Sequence, residues 1–540
     1  KYKKDYTAKK PEYIEKTYEQ VGKDVKALST LLLNKKLEGK RVILIGNNRY
    51  EWCISYFAIT CGNMVVVPLD KALPDNEIQN LVTRSEAEIA IFDKKYIDIM
   101  KKIKEEPNSI LNELICMDNL KEEGIENIND LLIEGQKLLE QNNTQYEKIA
   151  INPEKMSIML FTSGTTNEPK AVMLSQKNIC SNIQDLASWV QLGTKDTMLS
   201  FLPIHHTFEC TVTFLFGFYS GATIAFCDGL KYIQKNLAEY KVSVFVAVPL
   251  VLETMYKKIQ KAINDQGKTK LINTMVKISK LLLKCKIDIR KKVFKQILDN
   301  FGGNLRVVFY GSAPMNKDTI IGFNNFGIDL IQGYGLTETS PVVSAESDKE
   351  KRPGSIGLAL PSLNVKISNP DENGEGEITV KGPSVMLGYY NNEEENKKAL
   401  KDGWFYTGDY GYIDKDGFIW ITGRKKDIIV LRNGKNVYPQ EIEFLINKLP
   451  YVKESLVYQR ERNSTDTMLC AKIVYDEDIL KETFGEKTEK EYKALIFEDI
   501  KEINKTLPVF KHVKSISITT KEFVKTTTQK VKRYEELKNV

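Results

Sequence analysis

The chain has 540 residues, 42% of them hydrophobic and 28% charged, and a formal net charge of +6. It is too long for one core, so about one domain per 150 residues gives two to four, and the composition is ordinary for a soluble globular protein. Eight scattered Cys without a C-x-x-C pair, and only three His, argue against a zinc site or a disulfide framework and suit a reducing cytoplasm.

The opening Lys1-Tyr2-Lys3-Lys4 has no apolar stretch behind it, so no signal peptide is expected. Residues 1–40 read as an edge strand region and a helix over Tyr18–Leu33. Arg41–Ile45 reads as a strand, Tyr50–Cys61 as a helix, and Met64–Pro68 and Ala87–Phe92 as strands. This βαβ rhythm predicts an α/β fold with a parallel, doubly wound sheet. Residues 100–150, polar and rich in Glu and Lys, read as a surface excursion.

Leu160–Met173 is apolar on both sides of Thr162-Ser163-Gly164-Thr165-Thr166 and carries Lys170, which predicts strand, tight loop, strand. Small residues let backbone N–H groups close on a polyphosphate, hydroxyls add donors and the Lys adds a mobile charge. A polar turn between two buried strands is the competing reading. The stretch is not a Walker A loop, because Pro169 and Ala171 replace the second Gly and the Ser/Thr, which argues against a P-loop kinase.

Asn178–Leu192 reads as a helix, and Thr197–Pro203, Val242–Val248 and Leu305–Tyr310 as strands, the last running into Gly311-Ser312-Ala313-Pro314. The 18 uncharged residues 210–227 reach the length of a membrane span, but Gly217, Ser220 and Gly221 interrupt them, and a helix turning into a buried strand is the better reading. Residues 257–296 hold thirteen Lys/Arg against two Asp, a net +11, with apolar residues at helical spacing. Three readings of these basic helices stand open: a solvated face, a patch for an anionic ligand or carrier, and a contact with an anionic membrane. From Ser355, short strands and Gly-containing turns predict a small β subdomain, and beyond Arg424 strand and helix alternate as a separate α+β domain.

The run Gln332-Gly333-Tyr334-Gly335-Leu336-Thr337-Glu338-Thr339 follows an apolar strand. Its two Gly allow close backbone approach beside a flat ring, and Thr337-Glu338 offers oxygen ligands to a hard cation. Leu160–Met173, this run, Tyr406-Thr407-Gly408-Asp409, Thr422-Gly423-Arg424-Lys425-Lys426-Asp427 and Val524–Arg533 occur in the order of the adenylate-forming, AMP-binding enzymes. The chain resembles that superfamily along nearly its whole length, most of all the bacterial long-chain fatty acyl-CoA synthetases.

The resemblance implies a large adenylation domain over 1–423, with the β subdomain at about 355–423. A hinge at 424–427 with Lys426 as its pivot and a mobile domain over 428–540 would follow. ATP, Mg²⁺ and coenzyme A are implied as cofactor and co-substrates. Thr162, Ser163, Gly164, Thr165, Thr166 and Lys170 match the phosphate loop; Gly311, Ser312, Ala313, Pro314, Gln332, Gly333, Tyr334 and Gly335 match the adenine platform. Thr337 matches the α-phosphate contact, and Thr162 with Glu338 the magnesium ligands. Asp409 matches the ribose carboxylate, which suits an acceptor-only group, and Arg424 completes that clamp. Lys530 matches the catalytic lysine, and Gly434 lies in the loop offered to the thiol.

The residue types suit the chemistry independently. A carboxylate attacking the α-phosphate meets anionic repulsion, which cations offset by positioning and electrostatic stabilisation. Asn167, Ala171, Val524 and Gln529 depart from the family pattern without removing a charge or hydroxyl used here. His206, within Leu202–Glu209, matches a position lining the acyl site, against the alternative of a His satisfied within the core. The Phe- and Leu-rich stretch behind it suits an alkyl chain, at about 0.8 kcal/mol per buried CH₂. A medium- or long-chain fatty acid is the expected substrate and coenzyme A the expected acceptor, with an acyl carrier protein as the alternative. A non-catalytic nucleotide sensor is the rival. No nucleic-acid partner is expected, and the expected location is cytoplasmic, with the basic helices suited to peripheral contact at the membrane's inner face.

Overall fold

The structure is a computed structural model that describes residues 1–3, 12–162, 169–347, 350–431, 436–463, 466–525 and 531–538. Its chain divides into two compact units, Lys1–Val365 with Val380–Phe405, and Lys366–Thr379 with Tyr406–Val540.

The first unit contains two mixed sheets. One has the order Gly388–Tyr389, Lys170–Ser175, Met156–Thr162, Val65–Pro68, Arg41–Ile45, Ile89–Phe92, Glu113–Cys116, Glu126–Asn127. Its strands run parallel from Met156–Thr162 to Glu126–Asn127, and the first two are antiparallel additions. Parallel strands are covered on both faces, which is why Val42 to Ile45 form an unbroken apolar run and are all fully buried. The helix Tyr50–Cys61 and the strand Arg41–Ile45 lie where the βαβ rhythm of the sequence put them.

Residues 100–150 are not a surface excursion. Glu113–Cys116 extends the sheet beside Ile89–Phe92 with Leu114, Ile115 and Cys116 buried. Helix Ile128–Glu140 packs on helix Tyr18–Asn34, where Gly135 meets the Ala27 backbone too closely for any Cβ. A four-residue strand among Lys and Glu is too short to show a period, so sequence polarity hid it.

The second sheet has the order Thr223–Phe226, Thr197–Ser200, Val244–Ala247, Val307–Tyr310, Asp329–Gly335, Val342–Ala345, Leu358–Ala359. It is parallel as far as Asp329–Gly335 and antiparallel beyond. The uncharged run 210–227 lies mostly in a π-helix (Phe208–Leu215), a turn of α-helix (Phe216–Tyr219) and the strand Thr223–Phe226. Among the described residues no helix is long and apolar enough to cross a membrane. The basic segment lies in helices Pro249–Asp265, Thr269–Lys284, Arg290–Val293 and Lys295–Asp299.

In the second unit, residues 409–413 pair antiparallel with Ile419–Arg424. Val452–Asn463, Asp466–Tyr475 and Val513–Thr519 make a three-stranded sheet, covered by helices Pro439–Ile446 and Glu489–Lys505 through Ile442, Ile446, Ile496 and Ile500. Residues 366–379 and 406–423 group with this unit, whereas motif order alone put them with the N-terminal domain. The chain changes unit inside strands Asn364–Ser368, Gly376–Lys381 and Trp404–Ile413, and motif order carries no record of such a switch.

Candidate active site

The hairpin Met156–Thr162 and Lys170–Ser175 is the strand–loop–strand unit expected at Leu160–Met173, with Thr162 directly opposite Lys170. Ser163, Gly164, Thr165 and Thr166 lie outside the described residues. Ser175 ends the hairpin and starts helix Gln176–Trp189 through a capping box with Asn178, an arrangement that stabilises a helix by about 1 kcal/mol. The same Asn178 donates through Nδ2 to the carbonyls of Pro383 (2.7 Å) and Val385 (2.9 Å). That bond pins the segment that runs on to Gly388–Tyr389, whose two residues pair with Met173 and Val172 of the hairpin.

Glu338 sits in the 3-10 turn Thr337–Thr339, just beyond the strand Asp329–Gly335. Its carbonyl accepts from Met386 N–H at 2.8 Å, and its carboxylate Oε1 accepts from the Tyr389 hydroxyl at 3.0 Å. Burial, and then the Glu338 charge, push the Tyr389 phenol well above its ordinary value, so it remains a donor throughout the neutral range. Over the face of this ring the Lys170 ammonium lies 5.0 Å from the centroid and pairs with the Glu395 carboxylate. Lys170 and then Lys398 hold the Glu395 carboxyl below the usual range. Tyr389 and Glu395 were not singled out from the sequence. An aromatic after Gly and a Glu at a helix start are too common to stand out, and only the antiparallel addition of Gly388–Tyr389 gives them a role.

Gly311 follows the strand Val307–Tyr310 and is buried, while Ser312, Ala313 and Pro314 form an exposed shelf beyond it. A Cβ on Gly311 would stand 2.7 Å from the Gly333 carbonyl, so only Gly allows these strand ends to approach. Ser312 has φ of 72°, a left-handed conformation of the kind that clusters at functional sites. Gln332 turns inward. Its amide oxygen accepts from Tyr310 OH at 2.9 Å and its N–H and carbonyl both bond to Glu346, which ties this end of the strand to its neighbours. Gly333, Tyr334 and Gly335 continue the strand directly toward Thr337 and Glu338. The turn after the Asp329–Gly335 strand of one sheet therefore meets the strand Gly388–Tyr389 added to the hairpin of the other.

A carboxylate with one oxygen held by a phenol fits Mg²⁺, which takes one or two protein oxygens and completes its shell with phosphate and water. Among the described residues no group of three or more His, Cys, Asp or Glu forms a metal cage.

His206 is half-buried ahead of the π-helix. Its Nδ1 accepts from Phe208 N–H at 3.3 Å, so the neutral ring carries its proton on Nε2. Neighbouring His205 lies 3.6 Å from Asp70, and burial lowers its tendency to protonate. Glu209 is fully buried, and burial pushes its carboxyl up to about 8 although Thr213 Oγ1 donates to Oε2 at 3.0 Å; its buried Oε1 has no hydrogen-bond partner among the described residues.

In the second unit, Asp409 and Arg424 are directly opposite on adjacent strands, and Arg424 Nε lies 2.8 Å from Asp409 Oδ1. The carboxylate is buried, 4% exposed, and the Arg 39% exposed. Gly408, with φ of 73°, sets the bend that turns Asp409 to this face, and its N–H donates to Glu377. Lys426 lies in the 3-10 turn Lys425–Asp427, where Lys425 pairs with Glu377 at 2.6 Å. Gly434 and Lys530 lie outside the described residues.

Two family descriptions match the sequence, AMP-binding enzyme over residues 1–390 and AMP-binding enzyme C-terminal domain over residues 426–539. The long-chain-fatty-acid–CoA ligase FadD15 of Mycobacterium bovis is 29% identical across 78% of this chain and 71% of its own. Long-chain-fatty-acid–CoA ligase 5 of Rattus norvegicus is 29% identical across 96% of this chain and 82% of its own. Among solved structures, ATP-bound MatB from Rhodopseudomonas palustris matches with a TM-score of 0.73 at 22% identity, over 97% of this chain and 93% of that one, a likeness of fold.

Proposed function

The chain belongs to the AMP-binding enzyme family, and we propose that it is an AMP-forming acid–thiol ligase that activates a medium- or long-chain fatty acid and transfers it to coenzyme A. The observation that carries this reading is that one residue, Tyr389, touches both the hairpin lysine through its ring and the Thr337–Glu338 turn through its hydroxyl. Two family relatives, named as long-chain fatty acid–CoA ligases, support the choice of acid and acceptor.

In the first half-reaction the fatty acid carboxylate attacks the α-phosphorus of ATP. The bond from that phosphorus to the bridging oxygen breaks, and pyrophosphate leaves with the electron pair. Lys170, with Thr162 and the loop 163–166, holds the departing pyrophosphate. Glu338 and Thr162 would hold Mg²⁺, which supplies Lewis-acid neutralisation of the phosphate oxygens when bound. Thr337 and Lys530 contact the α-phosphate, Lys being a compact charge on a flexible stem that can arrive and withdraw. Asp409 accepts both ribose hydroxyls while Arg424 fixes its carboxylate, and Gly311–Pro314 with Gly333–Gly335 carry the adenine. His206 borders the acyl chain. In the second half-reaction the thiol attacks the acyl carbonyl and AMP departs, with Lys426 as the pivot and the loop around Gly434 serving the thiol.

Acid-dependent ATP–pyrophosphate exchange by the purified chain tests the reading. Exchange with medium- or long-chain acids is expected, and its absence with all of them returns the protein to the sensor alternative. Lys530→Ala should abolish exchange while leaving thioester formation from supplied acyl-AMP largely intact. Offering free coenzyme A beside an acyl carrier protein and weighing the products decides the acceptor.

Helix Thr269–Lys284 supports a peripheral contact with anionic lipid. Ile272, Met275 and Val276 pack inward against the Phe294–Phe326 cluster, yet Leu271 (51%) and Leu281 (65%) are exposed beside Lys270, Lys277 and Lys284. Exposed leucines flanked by lysines suit insertion at a negatively charged interface. Co-sedimentation with phosphatidylglycerol vesicles is expected, weakened by Leu271→Ser with Leu281→Ser; equal binding to neutral vesicles would contradict the charge argument.

A further inference from the structure

Resting on the reading of Lys170 as the pyrophosphate lysine, we propose that Glu395 is a built-in competitor for it. This internal anion must be displaced when pyrophosphate or the β,γ-phosphates of ATP bind, and it recaptures Lys170 when pyrophosphate leaves.

The pair is not an ordinary surface contact. Side-chain exposures of 16% for Lys170 and 24% for Glu395 place both mostly out of water. Exposed pairs are worth about 0–1 kcal/mol, whereas shielding strengthens the attraction and raises the cost of leaving one partner alone. Both partners are also fixed by separate anchors. Lys170 is held in register opposite Thr162 at the mouth of the loop. Glu395 stands in the first turn of helix Glu393–Ala399, where Asn392 caps its N–H at 3.1 Å and Lys398 binds its other oxygen at 3.0 Å. The next residue, Asn396, clamps the Tyr389 backbone in both directions, accepting from its N–H at 2.6 Å and donating to its carbonyl at 2.9 Å. The helix is thereby docked on the strand that pairs with the hairpin, and the carboxylate cannot drift from the ammonium.

A diphosphate carries more charge than one carboxylate and wins the ammonium, but by a margin reduced by what the pair contributes. Once it is bound, Glu395 is left with Lys398 and faces a second anion from the same helix start that carries Glu393 and Glu394. Both effects lower affinity for the phosphates and hasten their departure. In a reaction that must lose pyrophosphate before the thiol attacks, that is a useful asymmetry.

Calorimetric titration of sodium pyrophosphate into the full chain, without acid or metal, tests this. Glu395→Gln keeps the side-chain shape and should lower the pyrophosphate Kd about tenfold, equivalent to about 1.4 kcal/mol. Glu395→Asp, which withdraws the charge by one methylene, should fall between that variant and the unmodified chain and serves if Glu395→Gln folds poorly. In a Lys170→Met background, with ATP as the titrant so that adenosine contacts keep binding measurable, Glu395→Gln should change Kd by less than about twofold, because the carboxylate acts through the lysine. Unchanged or weaker pyrophosphate binding in the folded variants overturns the proposal, as does an equal gain in the Lys170→Met background. The ligase reading is judged separately by acid-dependent exchange. A chain with no exchange but with the predicted calorimetry would lose that reading and keep the Glu395 assignment.

Discussion

Two ion pairs stand at the residues proposed to handle ATP, and they are built in opposite ways. Lys170–Glu395 joins side chains 225 positions apart, both shielded, and its cation is the proposed reader of the ligand. Asp409–Arg424 joins direct neighbours across one antiparallel pair, with the anion buried and the cation half in water, and here the anion is the proposed reader. The difference teaches that an ion pair's sequence separation and its burial say which member is at work. In the first pair the partner competes with the ligand, and in the second it holds the reader still.

The largest effect should come from Lys170→Ala. It removes the cation proposed to hold the departing pyrophosphate, a charge-assisted contact of the kind whose truncation costs about 2–5 kcal/mol, so kcat/KM for ATP in the exchange assay should fall by about 10²-fold or more. A loss smaller than that of the next variant would reverse the ranking of the two pairs. Asp409→Asn keeps shape but removes the charge facing Arg424, and KM for ATP should rise by about 30-fold, in line with the loss of about 2 kcal/mol from a charged hydrogen bond. Arg424→Lys should be milder, about fivefold in KM, because a charge remains while the planar fork is lost. An Arg424→Lys effect equal to that of Asp409→Asn would make the arginine a reader and not a support.

A third carboxylate sharpens the contrast, because Glu209 is buried among hydroxyls and backbone N–H groups in place of a cation. Its carboxyl is raised to about 8, against about 4.5 in the unfolded chain, so the folded state holds the extra proton between those values. Folding stability from this group therefore falls as pH rises from about 4.5 to 8, by up to about 1.4 kcal/mol per unit. Glu209→Gln should remove that slope, so urea unfolding should show its advantage over the unmodified chain growing from pH 5 to pH 8. A constant difference would mean that Glu209 is ionised in the fold.

Much of this was legible in the sequence. Arg41–Ile45 showed as a short apolar run and Tyr50–Cys61 as the helix after it in a βαβ rhythm, and the hairpin around Lys170 showed as two apolar runs about a hydroxyl-rich turn. Asp409 and Arg424 were each readable from a local motif. The strand Glu113–Cys116 was not, because its burial comes from the neighbour it joins and not from its own composition. Gln332 was readable only as part of its motif, and the structure adds that its amide oxygen accepts from Tyr310 while its backbone bonds to Glu346.

The sequence by itself determined the α/β class, the order of the motifs and the charges available to them, because hydrophobic period and local turn chemistry are written residue by residue. Tertiary structure alone decided that Tyr389 would touch both Lys170 and Glu338 and that Glu395 would hold the lysine. Those contacts arise from the pairing of Gly388–Tyr389 with the hairpin, a long-range strand register that no local pattern specifies.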